Sequence, residues 1–227
     1  VRVTFTDGSW CHVGWEHLWY AQRPSQHKTG NLGHVLTTRQ MVEHGLVKKC
    51  GNAPPGPYWY IPMVAPVQFP PAELVIEPYL LGAILGDGSI TPEGHMSLCT
   101  DIEILEAVGA KVVRRHDTCE YVGYGSVPGI SAVIRTLNLQ GKRSWEKFVP
   151  PAYLMASVSQ RHALLQGLLD TDGSPMQDGG IEFSSTSEAL TDAVIELTQS
   201  LGGVARKSGP RITQHQNGYG RPSWRVN

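Results

Sequence analysis

His162-Ala163-Leu164-Leu165-Gln166-Gly167-Leu168-Leu169-Asp170-Thr171-Asp172-Gly173-Ser174 repeats, in altered form, the earlier stretch Pro78-Tyr79-Leu80-Leu81-Gly82-Ala83-Ile84-Leu85-Gly86-Asp87-Gly88-Ser89. Aligning Gly82 with Gly167 places Asp87 on Asp172, 85 residues apart. Both stretches are apolar nearly all round, which predicts buried helices. Pro78 suits the first turn of the earlier helix, and Ser157-x-x-Gln160 forms a capping box ahead of the later one. A glycine inside a helix costs about 1 kcal/mol against alanine, so Gly82 and Gly167 need a packing reason. Without side chains they let two helices approach closely.

The likeness extends beyond the helices and marks an internal repeat. After the first motif comes a strand candidate, His95–Cys99, then a helix from about Asp101 to Gly109, then a basic strand with Lys111, Arg114 and Arg115. After the second comes a strand over Ile181–Ser185 and a helix from about Ser187 to Leu201, ended by Gly202-Gly203 and followed by Arg206 and Lys207. Thr100 or Asp101, and Thr186 or Ser187, are capping candidates for these helices. The implied architecture is α+β, in two similar parts, with repeat one at about 76–150 and repeat two at about 157–227.

If the motif helices pair in parallel, Asp87 and Asp172 meet at their C-terminal ends. Adjacent carboxylates raise each other's proton affinity, and a divalent cation between them removes that cost. Oxygen ligands suit Mg²⁺ (or Mn²⁺), and a cation so held can orient water against a phosphodiester. One Asp-Gly after a helix is ordinary turn chemistry, but two at matching positions of a repeat make that explanation weak.

The two stretches resemble the paired dodecapeptide (DOD-type) motifs of LAGLIDADG homing endonucleases, with Leu165–Gly173 especially similar. The resemblance covers residues 69–227. It implies two pseudo-symmetric αββαββα halves packed through the motif helices, with Gly82 and Gly167 at their interface. It further implies saddle-shaped sheets on double-stranded DNA, and a metal-binding last acid in each motif, here Asp87 and Asp172. The first copy departs from the pattern with Leu85-Gly86 where the second has Asp170-Thr171; Asp170 is therefore expected to be a helix-end or local hydrogen-bonding residue. Lys147, in Trp145-Glu146-Lys147-Phe148-Val149-Pro150, resembles the family's lysine ahead of the second motif and would polarise the attacking water or stabilise the pentacovalent phosphate. Its counterpart by repeat symmetry would fall past Asn227.

Residues 1–68 read differently. Val1, Val3 and Phe5 alternate with polar residues ahead of a Thr6–Ser9 turn, and Gly51–Pro71 is a proline- and glycine-rich linker with short strands. Trp15-Glu16-His17-Leu18-Trp19 resembles the histidine region of Hint protein-splicing domains, which makes His17 the splicing-related candidate. Gly14 stands where that pattern usually has threonine. Trp59–Met63 resembles the junction between the splicing and nuclease parts of an intein. Val1 is neither Cys nor Ser and Asn227 follows Val226, so this chain is expected not to splice, and to be a piece of an intein with a mostly β, partial Hint segment.

Composition constrains the rest. Net charge is −1, mean hydropathy is −0.20 and 41% of residues are hydrophobic, enough for a packed core. No apolar run is long enough for a membrane span. The four cysteines (Cys11, Cys50, Cys99, Cys119) form no C-x-x-C pair, which fits a reduced, cytoplasmic protein without structural zinc. Charge is segregated: Leu197–Asn227 and Tyr121–Trp145 are basic and free of acids. Phosphate contacts are expected from Arg114, Arg115, Lys142, Arg143, Arg206, Lys207 and Arg211. The function expected is an intein-associated, divalent-metal-dependent, site-specific DNA endonuclease. It would act as a monomer, with host-protein exteins as further partners. Two alternatives stay open at this point: a splicing element with a vestigial nuclease, and a non-catalytic nucleic-acid-binding module of the same fold.

Overall fold

The computed structural model describes the chain except Asp7, Gly51, Asn52, Asp117, Thr118, Asp178, Gln216 and Asn217; side chains at 49–54, 114–121, 215–217 and 219 are likewise outside the described residues. The chain divides into two compact units, Val1–Val64 and Ala65–Asn227.

The first unit contains β1 (Arg2–Thr4), β2 (Trp10–His12), β3 (Leu18–Ala21), α1 (Pro24–Thr29), β4 (His34–Thr37), α2 (Thr38–His44), β5 (Val47–Cys50) and β6 (Ala53–Pro57). Among its described residues the strands pair as antiparallel couples, β1–β2, β3–β4 and β5–β6. Among its described residues only Ala21, Thr38 and Met41 are buried, whereas Leu18, Tyr20 and Val35 on one face of β3–β4 are exposed. So small a core is short of what a domain of this length needs.

The second unit runs α3 (Pro78–Asp87), β7 (Gly88–Ile90), β8 (Met96–Asp101), α4 (Ile102–Ala107), β9 (Lys111–His116), β10 (Cys119–Ser126) and α5 (Ile130–Thr136). A short 3₁₀ turn (Ser144–Glu146) and α6 (Pro151–Leu154) follow, and then α7 (Val158–Asp172), β11 (Gly173–Pro175), β12 (Ile181–Ser185), α8 (Glu188–Ser200), β13 (Lys207–His215) and β14 (Gly218–Val226). The elements pair into two antiparallel four-stranded sheets, ordered β7-β8-β10-β9 and β11-β12-β14-β13. Each sheet begins at the glycine after a motif helix: Gly88 pairs with Leu98, and Gly173 with Phe183.

Both motif stretches are helical for the expected reasons, with one addition and one correction. Ser157 and Gln160 form the capping box of α7. Pro78 opens α3, but the cap is Glu77, whose carboxylate accepts the Tyr79 N–H at 3.0 Å and the Leu80 N–H at 2.8 Å. Helix α3 buries everything from Leu80 to Leu85, whereas α7 buries Arg161, Leu164, Gly167 and Leu168 and exposes His162, Gln166 and Asp170. The apolar-all-round reading holds for α3 alone, because α7 is longer and carries a solvent face.

A continuous core joins the two helices to both sheets: Leu81, Ile84 and Leu98 from the first repeat pack with Leu164, Leu168 and Phe183 from the second. The glycines bring the helices within backbone contact. A Cβ on Gly82 would lie 2.4 Å from the Leu164 carbonyl oxygen and 2.9 Å from the Gly167 Cα; one on Gly167 would lie 2.2 Å from the Tyr79 oxygen. Four residues on, a Cβ on Gly86 would meet Thr171 Oγ1 at 2.0 Å. Both contacts advance toward the C-termini, so the helices run parallel. The first copy's departure at Gly86 thereby has a physical account: it makes room for Thr171.

Candidate active site

The C-terminal ends of α3 and α7 bring Asp87, Asp172 and Lys147 into one electrostatic cluster. Asp172 is half-buried, and its carboxyl is pushed up from 3.8 to about 6, first by burial and then by the charge of Asp87; Lys147 opposes the shift. The Asp87 carboxyl is also raised by burial, against the Thr100 hydroxyl bonded to it and the Lys147 charge, with Asp101 adding to the rise. Burial lowers the Lys147 ammonium from 10.5 to about 8 against the pull of Asp172 and Asp87. Burial is thus the first cause by which both carboxyls resist ionisation.

Lys147 is 4% exposed. Its Nζ donates to the carbonyls of Ile84 (3.1 Å), Leu85 (2.9 Å) and Gly86 (2.9 Å), the last turn of α3. An ammonium has three N–H donors, so all are taken; this differs from the expected donor aimed at water or phosphate. Its own carbonyl accepts the Ser187 hydroxyl at 2.6 Å.

The donor set suits a hard divalent cation. Among the described residues no cluster of three or more His, Cys, Asp or Glu side chains could hold a metal. Magnesium characteristically takes one or two carboxylates and completes its shell with water and substrate phosphate, and Asp87 with Asp172 match that pattern.

Other expected residues fall in varied places. Asp170 bonds across the interface rather than locally: it accepts the Tyr79 hydroxyl at 3.0 Å, which, after burial, helps push that phenol up to about 12. Asp101 stands at the α4 cap position without a side-chain cap bond, and Thr100 serves Asp87 instead. Ser187 caps α8, accepting the Leu190 N–H at 3.1 Å. Lys207 departs from expectation: its ammonium is held by Glu188 at 3.0 Å and Asp192 at 2.5 Å, both on α8, so it is neutralised internally. Arg143, Arg206 and Arg211 are exposed and Lys142 is half-buried. Arg114 and Arg115 lie on β9, their side chains outside the described residues. Arg225 pairs with Glu182 at 2.9 Å, and the Arg221 guanidinium sits 3.4 Å over the Trp145 ring. In the first unit His17 is exposed, its ring edge-on to Trp19 at 4.6 Å. The Ser187 cap matches one of the two candidates for α8, whereas the Tyr79–Asp170, Thr100–Asp87 and Ser187–Lys147 hydroxyl bonds were not foreseen, because bonds between residues distant in sequence leave no periodic signal.

Residues 159–226, the second repeat, match the family model of a LAGLIDADG-like domain. The chain is 34% identical over 146 residues to the replicative DNA helicase DnaB of Mycobacterium intracellulare, a match covering 64% of this chain and 22% of the helicase. It thus spans about a fifth of that curated relative. Among solved structures it resembles mesophilic variants of the homing endonuclease I-DmoI (14% identity, TM-score 0.41, 66% of this chain and 86% of that one). It also resembles I-DmoI in complex with DNA and manganese (13%, 0.41, 66% and 87%) and the N-terminal LAGLIDADG domain of DUF199/WhiA (12%, 0.36, 66% and 72%). No helix among the described residues is long and apolar enough to cross a membrane.

Proposed function

We propose that residues 69–227 are a homing endonuclease that makes sequence-specific double-strand breaks in DNA, with Asp87 and Asp172 as ligands of Mg²⁺ or Mn²⁺. The observation that carries this reading is the delivery of two carboxylates, by two closely packed parallel helices, to one centre that also holds a buried lysine charge. A bound divalent cation would supply Lewis acidity and a water of lowered pKa. Asp87 and Asp172 hold that charge at the helix ends. The two antiparallel sheets, related as pseudo-symmetric halves, carry the DNA, and Lys142, Arg143, Arg206 and Arg211, with Arg114 and Arg115, contact its phosphates. The protein acts as a monomer, because both half-sites lie in one chain.

Residues 1–68 are, in the same proposal, part of an intein's splicing domain, with His17 assisting cleavage of the first scissile peptide bond and the exteins as partners. Two observations support this: the slight core of the first unit, and a match lying within a small fraction of a replicative helicase, as expected of an element embedded in a host protein.

The test is Asp172→Asn. It should abolish Mg²⁺-dependent cleavage while DNA affinity stays within a few-fold, because the charge lost belongs to the metal site and not to the phosphate contacts. Full cleavage by the folded variant would sink the assignment.

A further inference from the structure

The segment that carries Lys147 is tied to the second repeat, whereas its side chain closes the motif helix of the first. Ser187 is 1% exposed; its hydroxyl accepts the Leu190 N–H that starts α8 and donates to the Lys147 carbonyl. Beside it, the Thr186 hydroxyl bonds that of Ser144 at 3.3 Å, and Arg221 from β14 covers Trp145. From this anchored backbone Nζ reaches the carbonyls of Ile84, Leu85 and Gly86. The Ile84 carbonyl also accepts the Gly88 N–H, whereas the Leu85 and Gly86 carbonyls lie past that last i→i+4 bond of the helix, and a cation there also opposes the negative end of the helix dipole. Helix α7 differs: its Leu169 carbonyl accepts the Gly173 N–H, and its Thr171 hydroxyl turns back one turn to the Gly167 carbonyl at 2.8 Å and the Leu168 carbonyl at 3.2 Å.

We propose that Lys147 is a positioning residue. It is the middle of a brace from the first turn of α8 to the last turn of α3, and it fixes where Asp87 is presented instead of touching water or phosphate. The proposal rests on the metal-site reading above, and it has a signature that a phosphate-contacting lysine lacks. Removing a nearby positive charge by itself tightens cation binding, whereas removing a positioning group weakens it.

The experiment compares the full chain with Lys147→Met and Ser187→Ala, without DNA, by amide hydrogen exchange and Mn²⁺ titration. In Lys147→Met, exchange at Asp87, Gly88 and Ser89 should rise by about tenfold or more, the loss of local protection expected when a helix end is released. Exchange at Asp172–Ser174 should stay unchanged, and Mn²⁺ should bind more weakly. Ser187→Ala, which leaves every charge in place, should shift the same first-repeat amides in the same direction by less; it also keeps the test open if Lys147→Met does not fold. Unchanged exchange at Asp87–Ser89 in the folded variants, or tighter Mn²⁺ binding in Lys147→Met, overturns the brace. Mn²⁺ binding that Asp172→Asn leaves intact overturns the metal-site reading instead, so the two failures are distinguishable.

Discussion

Gly82→Ala adds one methyl group at the crossing of α3 and α7. The new carbon would stand 2.4 Å from the Leu164 carbonyl oxygen, 2.8 Å from the Leu168 nitrogen and 2.9 Å from the Gly167 Cα, where ordinary contact begins at 3.4 Å. All three are backbone atoms, so no side chain can rotate away and the helices must part by about 1 Å. A gap of that size forfeits about a quarter to a half of each dispersion contact, and Leu81, Ile84, Leu164 and Leu168 are all fully buried there. Overpacking of this kind costs about 1–3 kcal/mol and lost contacts add to it, while alanine's helix preference returns about 1 kcal/mol. The net is about 2–3 kcal/mol, or a fall in Tm of roughly 5–10 °C for a chain of this size. Asp87 and Asp172 ride on the same helix ends, and a misplacement of about 1 Å costs on the order of 100-fold in rate. Thermal unfolding followed by circular dichroism, with single-turnover cleavage well below the melting range, measures both. A variant as stable as the parent or more so, with unchanged cleavage, would refute the close parallel packing, since helix preference alone predicts stabilisation.

Three further outcomes follow from the same geometry. The Asp172 carboxyl is raised from 3.8 to about 6 on folding, so the metal-free protein should lose stability as pH rises through that window. Lys147, lowered from 10.5 to about 8, should restore stability as pH rises from about 8 to 10. Asp172→Asn should therefore be more stable at pH 7 without metal, by on the order of 2 kcal/mol, with the advantage gone near pH 4; lower stability at pH 7 contradicts the cluster. Arg211→Ala should reduce the salt dependence of DNA binding by about one unit of log–log slope, whereas Lys207→Ala, whose charge Glu188 and Asp192 already hold, should leave the slope unchanged; equal effects would remove the distinction. Arg161 is fully buried, donates to Ala156, Ser200 and Val67 carbonyls and stacks over Phe69; Arg161→Met should cost about 3 kcal/mol and release exchange protection at 65–72, whereas unchanged protection would show that the linker is held by other contacts.

In the second repeat Ile181–Ser185 as a strand and a helix capped at Ser187 were legible almost to the residue, because they need only local signals, a β-rich run and a cap followed by a 3.6-residue period; the β13–β14 hairpin that completes the sheet was not read. The first repeat's outline was equally visible, and the pairing of Gly82 with Gly167 could be inferred because an interior helical glycine has few other uses. What lay beyond reach were contacts set by three-dimensional juxtaposition. Lys147 could be placed near the carboxylates by its motif, but three carbonyls at a helix end are not written in its neighbours. Lys207 read as one of a basic series, yet β13 delivers it to the acids of α8, 15 and 19 residues earlier. Thr100 looked like a cap because it precedes a helix; the strand carrying it runs beside Asp87, and its hydroxyl goes there.

The most direct measurement of the central claim is cleavage selection on a randomised double-stranded DNA library, with Mg²⁺ present and absent. The protein should recover one long family of related sites, cut on both strands only with the metal, and Asp87→Asn and Asp172→Asn should each recover none. Cleavage without sequence selection, cleavage that persists without a divalent cation, or no cleavage by the folded protein would each contradict that claim.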